Sequence, residues 1–432
     1  MKFYSTNNRN LKVSLKEAVL SGLSPDNGLF MPEFIPQLPE TFFDTIENKT
    51  FQEIAFEVSK QLFGDDINEQ NINEIITNSF NFEIPLKHIH NSIYSLELFH
   101  GPTLAFKDVG ARFMAQLLRV LNADFKSETY VLVATSGDTG SAVANGFLNV
   151  PGIKVIVLYP SKLVSDIQEK QFTTLGKNIT ALEINGTFDD CQHIVKQAFL
   201  DKQINNKHFI TSANSINVAR FIPQSFYYFW GYTQLPQKQK NIVISVPSGN
   251  FGNLTAGLLA KKMGLPIHKF ISATNANDIV PQYLLSGNYE PKPSVSTIAN
   301  AMDVGNPSNF ARILDMYGKS HHNISKDIEG ISFTDNQIKQ VIKEVYKSQN
   351  YLLDPHGAIG YMGLKSYLDK NENSIGFFIE TAHPAKFNET VEEIIEQKVE
   401  IPPRLHEFMK GTKQSILLSN KFEDFKEYML NL

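Results

Sequence analysis

The sequence predicts an α/β fold with a large and a small parallel-sheet domain, preceded by an N-terminal mainly helical element. Three observations predict it. The chain has 432 residues, which at about 150 residues per domain suggests two or three domains. Its first 95 residues read as helical patterns interrupted by prolines. Beyond them, short β-branched runs alternate with Gly/Ser/Asp/Asn turns and helical patterns, the rhythm of a parallel sheet covered on both faces.

In chain order, "SPDNGLFMPEFIPQLPE" carries too many breakers for a long helix, whereas "FQEIAFEVSKQLF" sets Phe51, Ile54, Ala55, Val58 and Leu62 on one helical face. The strand-then-helix series runs through "YVLVATSGDTGSAVANGFL", "IKVIVLYPSKLVSDIQEKQFTTLG", "ITALEINGTFDDCQHIVKQAFL", "NIVISVPSGNFGNLTAGLLAKKMG" and "KFISATNAND", and "IGFFIETAHP" adds a late strand. Residues 285 to 310 read as a long irregular connection, a feature that inside a compact protein is commonly functional. The expected division is a helical element over residues 1–95, a large domain from 96–125 and 220–432, and a small α/β domain over 126–219.

Composition narrows the partners. Forty Lys and Arg against 45 Asp and Glu give a formal net charge of −5, so no basic excess is present to neutralise nucleic acid or an anionic membrane. A small-molecule partner is expected, with monomer and homodimer both open. The single cysteine, Cys191, excludes an intrachain disulfide framework and an all-cysteine zinc site, and it fits a reducing, cytoplasmic setting. No metal centre is expected. The start "MKFYSTNNRN" is polar, and no apolar run approaches the ~18 residues of a membrane helix.

Two loops have the make-up of anion sites. In "SVPSGNFGNLTAGLLAKKMG" a strand is expected to end at Val246 and a helix to begin near Leu254. Between them, Gly249, Asn250, Phe251, Gly252 and Asn253 let backbone N–H groups converge at a helix N-terminus, which suits a phosphate; an ordinary βα turn is the alternative. The loop is neither G-x-G-x-x-G nor G-x-x-x-x-G-K-[ST], so dinucleotide and nucleoside-triphosphate readings lose support. In "ATSGDTGSAVANG", Thr135, Ser136, Gly137, Asp138 and Thr139 form a loop whose hydroxyl and backbone donors suit a carboxylate; the alternative is that Ser136 or Asp138 caps the helix.

Lys107 stands in "FHGPTLAFKDVGARFMAQL", behind Leu104, Ala105 and Phe106 and at the start of a helix in which Val109, Phe113, Leu117 and Leu121 recur at helical spacing. Apolar surroundings and the positive end of a helix dipole both disfavour its ammonium form, which makes it a candidate nucleophile. The bland alternatives are a lysine that snorkels or one that pairs with Asp108. A reactive lysine, a phosphate cradle and a carboxylate cradle together match pyridoxal phosphate chemistry on an amino acid.

The motifs "FHGPTLAFKD", "ATSGDTG", "SANSINVAR", "SVPSGNFGNLTAG", "NAMDVGNPSN" and "TAHPAKF" occur in an order and spacing that resembles the threonine synthase family over essentially the whole chain. The resemblance implies the tryptophan-synthase-β-like fold, fold type II of the pyridoxal phosphate enzymes, with the cofactor between a large cofactor-binding domain and a small substrate domain. It implies that Lys107 carries the cofactor as a Schiff base and later moves the substrate's α-proton. Gly249 to Asn253 would hold the cofactor phosphate, and Thr381 would give the pyridine nitrogen a neutral partner. By the same resemblance Ser136, Asp138 and Thr139 belong to the loop that meets the substrate, while Ser215, Asn217 and Arg220 form its phosphate site; because a buried acid would repel a carboxylate, Asp138 is expected to orient backbone groups without touching it. The implied substrate is O-phospho-L-homoserine, converted to L-threonine and phosphate by γ-elimination and β-addition of water: a carbon–oxygen lyase acting on phosphates. Dehydratases and cysteine synthases of the same fold share the lysine but need no second phosphate site.

Overall fold

The structure, a computed structural model, describes residues 1–122 and 128–432. Two parallel sheets organise it. The larger has six strands in the order Ile328–Ser332, Lys269–Thr274, Asn241–Pro247, Ser374–Glu380, Ile93–Glu97 and Leu86–His90, all parallel except the last, which runs antiparallel to its neighbour. The central strand Ser374–Glu380 is buried at every position, as a strand covered on both faces must be. Helix Pro355–Leu368 packs on the central strands, and helix Gly252–Lys262 is buried from Gly252 to Ala260.

The smaller sheet is wholly parallel, in the order Ile416–Ser419, Ile179–Asn185, Ile153–Pro160, Thr129–Ala134 and Phe209–Ser212. The strands Ile153–Pro160 and Ile179–Asn185 are each followed by a helix that starts at a side-chain cap. Thr187 accepts from the Asp190 N–H and Asp190 answers at the Thr187 N–H, starting helix Phe188–Leu200. Ser165 similarly caps Asp166–Thr173. In the N-terminal element Thr50 and Glu53 form a capping box for Phe51–Phe63, whose buried residues include the predicted Phe51, Ile54, Ala55, Val58 and Leu62.

The structure departs from the expected division in two places. Residues 1–95 are not only helical: Lys12–Val13, Phe3–Ser5 and Phe30–Pro32 make an antiparallel sheet, and the last two strands before residue 98 belong to the large sheet. The C-terminal segment, expected in the large domain, completes the small sheet instead; Phe425 and Met429 of helix Phe422–Leu430 are buried in one cluster with Cys191, Ile194, Val195 and Ala198 of helix Phe188–Leu200. The expected boundary at 125/126 lies outside the described residues. Two smaller differences concern ends: the strand after Asn241 runs to Pro247 and its helix begins at Gly252. Residues 287–299 are irregular as expected, held by Asp303, which accepts from Asn275 Nδ2 and Thr297 Oγ1, each at 2.8 Å.

Candidate active site

Lys107 is the first residue of helix Lys107–Leu121. The loop before it is fastened to the end of the central strand: Phe106 N–H donates to Thr381 O at 2.8 Å, Ala105 bridges Ala382, and His383 N–H donates to Leu104 O at 3.1 Å. Leu104 has a φ of 56°, a conformation costly for a branched side chain and held only where surrounding structure dictates it. Asp108 does not pair with Lys107. Its buried carboxylate takes the N–H and hydroxyl of Thr103 at 2.8 and 2.7 Å, and burial, against those hydrogen bonds, pushes its pKa up to about 6.

Lys107 is half-buried at the start of its helix. Burial lowers its pKa; Asp138 opposes that effect, while Lys386 and Arg220 reinforce it. These three charged groups come from three separate elements, so the fold assembles a charge cluster around the amine that the sequence does not display. Asp138, in the first turn of helix Asp138–Gly146, is not an organiser of backbone groups as expected. Its Oδ1 accepts from Lys386 Nζ at 2.6 Å and from Gln168 Nε2 at 2.8 Å, and both charged side chains are buried. Burial alone would raise its pKa, but the ammonium groups of Lys386 and Lys107 outweigh it and hold the carboxyl low.

The glycine loop has the features of a phosphate cradle. Phe251, at φ 62°, turns the chain into the helix. Among the described residues, the backbone N–H groups of Gly249, Asn250, Phe251, Gly252 and Asn253 donate to no protein acceptor. Five consecutive free donors at a helix N-terminus fit a phosphate dianion. The side chains shape the loop: Asn250 Nδ2 donates to Ser215 Oγ at 2.7 Å, Ser308 N–H donates to Asn250 Oδ1 at 2.6 Å, and Asn253 Nδ2 donates to Pro247 O at 2.8 Å.

The other predicted residues divide. Thr381 is buried beside Phe106, and its hydroxyl makes no hydrogen bond among the described residues, so it does not merely satisfy local backbone. Ser136 is exposed and Thr139 half-buried. Ser215 reaches the glycine loop through Asn250. Arg220 is buried, donates to Ala213 O, and has its pKa drawn down to about 10 by burial. Asn217 is a correction: its Oδ1 caps helix Val218–Phe221 and its Nδ2 donates to Val19 O and Ser212 O at 2.8 and 3.0 Å, which commits it to structure.

Lys386 and Gln168 are site residues that sequence reasoning missed. A signal for Lys386 existed, because it follows Pro384 and Ala385 in "TAHPAKF" much as Lys107 follows an apolar tripeptide; Gln168 carried none. Arg312 was also missed: wholly buried, it donates to Phe30 O at 3.2 Å and Ile216 O at 2.6 Å, tying the N-terminal element to the Ser215 loop. A cleft of about 880 Å³ is lined by the N-terminal element, the small domain and large-domain residues such as Tyr289 and Phe310; Ser215 and Asn250 line it, and neither Lys107 nor Thr381 does.

An amine, a phosphate cradle and a neutral hydroxyl at the ends of adjacent parallel strands define a pyridoxal-phosphate-dependent enzyme, and the family model of that description, "Pyridoxal-phosphate dependent enzyme", matches residues 82–376. "Threonine synthase N terminus" matches 2–80 and "Threonine synthase, C-terminal" matches 357–429. Threonine synthase of Buchnera aphidicola subsp. Acyrthosiphon pisum is 43% identical over 432 residues, covering 100% of both chains. The crystal structure of threonine synthase from Escherichia coli superposes with a TM-score of 0.93 at 41% identity over 100% of both chains. A PLP-bound threonine synthase from Brucella melitensis gives 0.93 at 31% identity, over 100% of this chain and 99% of that one. The chain belongs to the threonine synthase family.

Among the described residues no helix is long and apolar enough to cross a membrane.

Proposed function

We propose that the protein is a threonine synthase that converts O-phospho-L-homoserine and water into L-threonine and phosphate in the cytoplasm. The observation that carries this reading is the run of five unpartnered N–H groups from Gly249 to Asn253, set at the same end of the sheet as the half-buried Lys107. Bound pyridoxal phosphate supplies a carbonyl for that amine and an electron-withdrawing ring that acidifies the substrate's hydrogens. Lys107, held toward its neutral form, is placed to take the α-proton and return it. Thr381 offers the ring nitrogen a neutral partner. Ser136 and Thr139 have free hydroxyls for the substrate carboxylate, and Ser215 with Arg220 makes the receiving site for its phosphate. The small sheet with its helices serves as the substrate domain, closing on the large one to keep stray water from a reactive unsaturated product of elimination.

Incubating the purified protein with O-phosphohomoserine should release phosphate and threonine in equal amounts. Lys107→Ala should abolish both and remove the Schiff-base absorbance of the loaded protein. Absence of phosphate release from the wild type at any substrate concentration would overturn the reading in favour of a dehydratase or cysteine synthase.

A further inference from the structure

Four charged groups share the interior around Lys107, and their pairing is uneven. Asp138 is tied to Lys386 at 2.6 Å, with Lys386 0% and Asp138 6% exposed. Lys386 is held from the other side as well: its Nζ donates to Thr103 O at 2.8 Å, an oxygen that also takes Gln171 Nε2 at 3.0 Å. Gln168 completes the Asp138 shell. Arg220 turns to Ala213 O, and Asp108 to Thr103. Among the described residues Asp138 is the carboxylate that favours the Lys107 ammonium, and Lys386 already occupies it.

We propose that Lys386 is a positioning residue for the reaction: by occupying Asp138 it denies Lys107 a counter-ion and so keeps the Lys107 amine available. This rests on Lys107 being the reacting amine. A buried acid left alone takes the nearest cation, because an uncompensated charge in the interior is costly. Were Lys386 uncharged, Asp138 would pair with Lys107 and hold it as an ammonium, which neither attacks a carbonyl nor accepts a proton. Lys386 and Asp138 thus work as a unit: the acid anchors the start of helix Asp138–Gly146 beside Gln168, and the lysine cancels the charge that this anchoring brings to the site. The groups facing Lys107 are Asp138 on that helix, Lys386 on the turn Pro384–Phe387 and Arg220 on helix Val218–Phe221; Asp108, on its own helix, is turned away.

The test is competitive labelling of the cofactor-free full chain with acetic anhydride across pH, with the Lys107 peptide quantified by mass spectrometry. In Lys386→Met the labelling midpoint of Lys107 should rise by about one pH unit, a roughly tenfold loss of neutral amine at fixed pH. Lys386→Arg should keep the wild-type midpoint, and the double variant D138N/K386M should return to it. An unchanged midpoint in Lys386→Met, or a raised one that persists in the double variant, would overturn the proposal. If Lys386→Met fails to fold by circular dichroism, Asp138→Asn decides: its Lys107 midpoint should fall below wild type, and no fall would sink the idea. The readout follows the amine itself, so it stands apart from whether O-phosphohomoserine is the substrate.

Discussion

At the scale of single residues, the chemistry at this site is set by which charges are paired. Lys107 was legible because its own neighbours, three apolar residues before it and a helix after it, already disfavour an ammonium. The Lys386–Asp138 pair was not, since its members lie on distant segments and neither has local context that names the other. His383, half-buried, carries a measurable pH signature. Its ring packs edge-on to Phe99 and its Nδ1 accepts from Ala385 N–H at 3.1 Å, which requires the neutral form. Burial first, then His100 and Lys386, lower its pKa from 6.5 to about 4. Between those values the unfolded chain binds a proton that the folded protein refuses, so stability is lost as pH falls through the window. Urea unfolding should show roughly 1.5 kcal/mol of this loss between pH 6.5 and 5. His383→Asn, which keeps an acceptor at the cap, should flatten that slope.

Among the elements, the glycine loop divides its two glycines by role. A Cβ on Gly249 would stand 2.8 Å from Met302 Cα and 2.9 Å from Ala301 O, backbone atoms that cannot step aside. On Gly252 the nearest atom would be Asn309 Nδ2 at 3.4 Å, an ordinary contact. Gly249→Ala should therefore displace the loop, lowering the melting temperature and weakening pyridoxal phosphate binding at least tenfold, about 1.4 kcal/mol. Gly252→Ala should leave the melting temperature of the cofactor-free protein unchanged and weaken binding alone. Absorbance titration with calorimetry separates the two. The sequence revealed this loop because strand, glycines and helix are contiguous. It could not reveal that the irregular stretch around Ala301 and Met302 is the wall behind Gly249, a contact between segments some fifty residues apart.

Taken whole, the molecule distributes its sheets differently from its sequence blocks. The buried central strands were readable from continuous β-branched runs, as burial on both faces demands. Edge strands were not: Ile416–Ser419 is exposed or half-buried along its length, and nothing local says which sheet it joins. Because Phe425 is fully buried in the small-sheet core, Phe425→Ala should destabilise that domain by about 3–5 kcal/mol. The single tryptophan, Trp230, reports elsewhere, donating to Ile84 O at 2.7 Å and packing edge-on to Phe51. In Phe425→Ala the circular dichroism transition should move to lower urea while tryptophan fluorescence holds its midpoint, and coincident shifts would mean that the two domains unfold as one.

The C-terminal strand also fixes an order of events in synthesis. Ile179–Asn185 emerges from the ribosome early but pairs with Ile416–Ser419, the last strand made among the described residues. Until then one edge of the small sheet is bare backbone, and Cys191 and Ile194 lack the cover of Phe425 and Met429. The half that would meet the amino acid is thus finished after the half that would hold the cofactor. In that interval the nascent chain carries an open strand edge of the kind that recruits other chains, and with them chaperones.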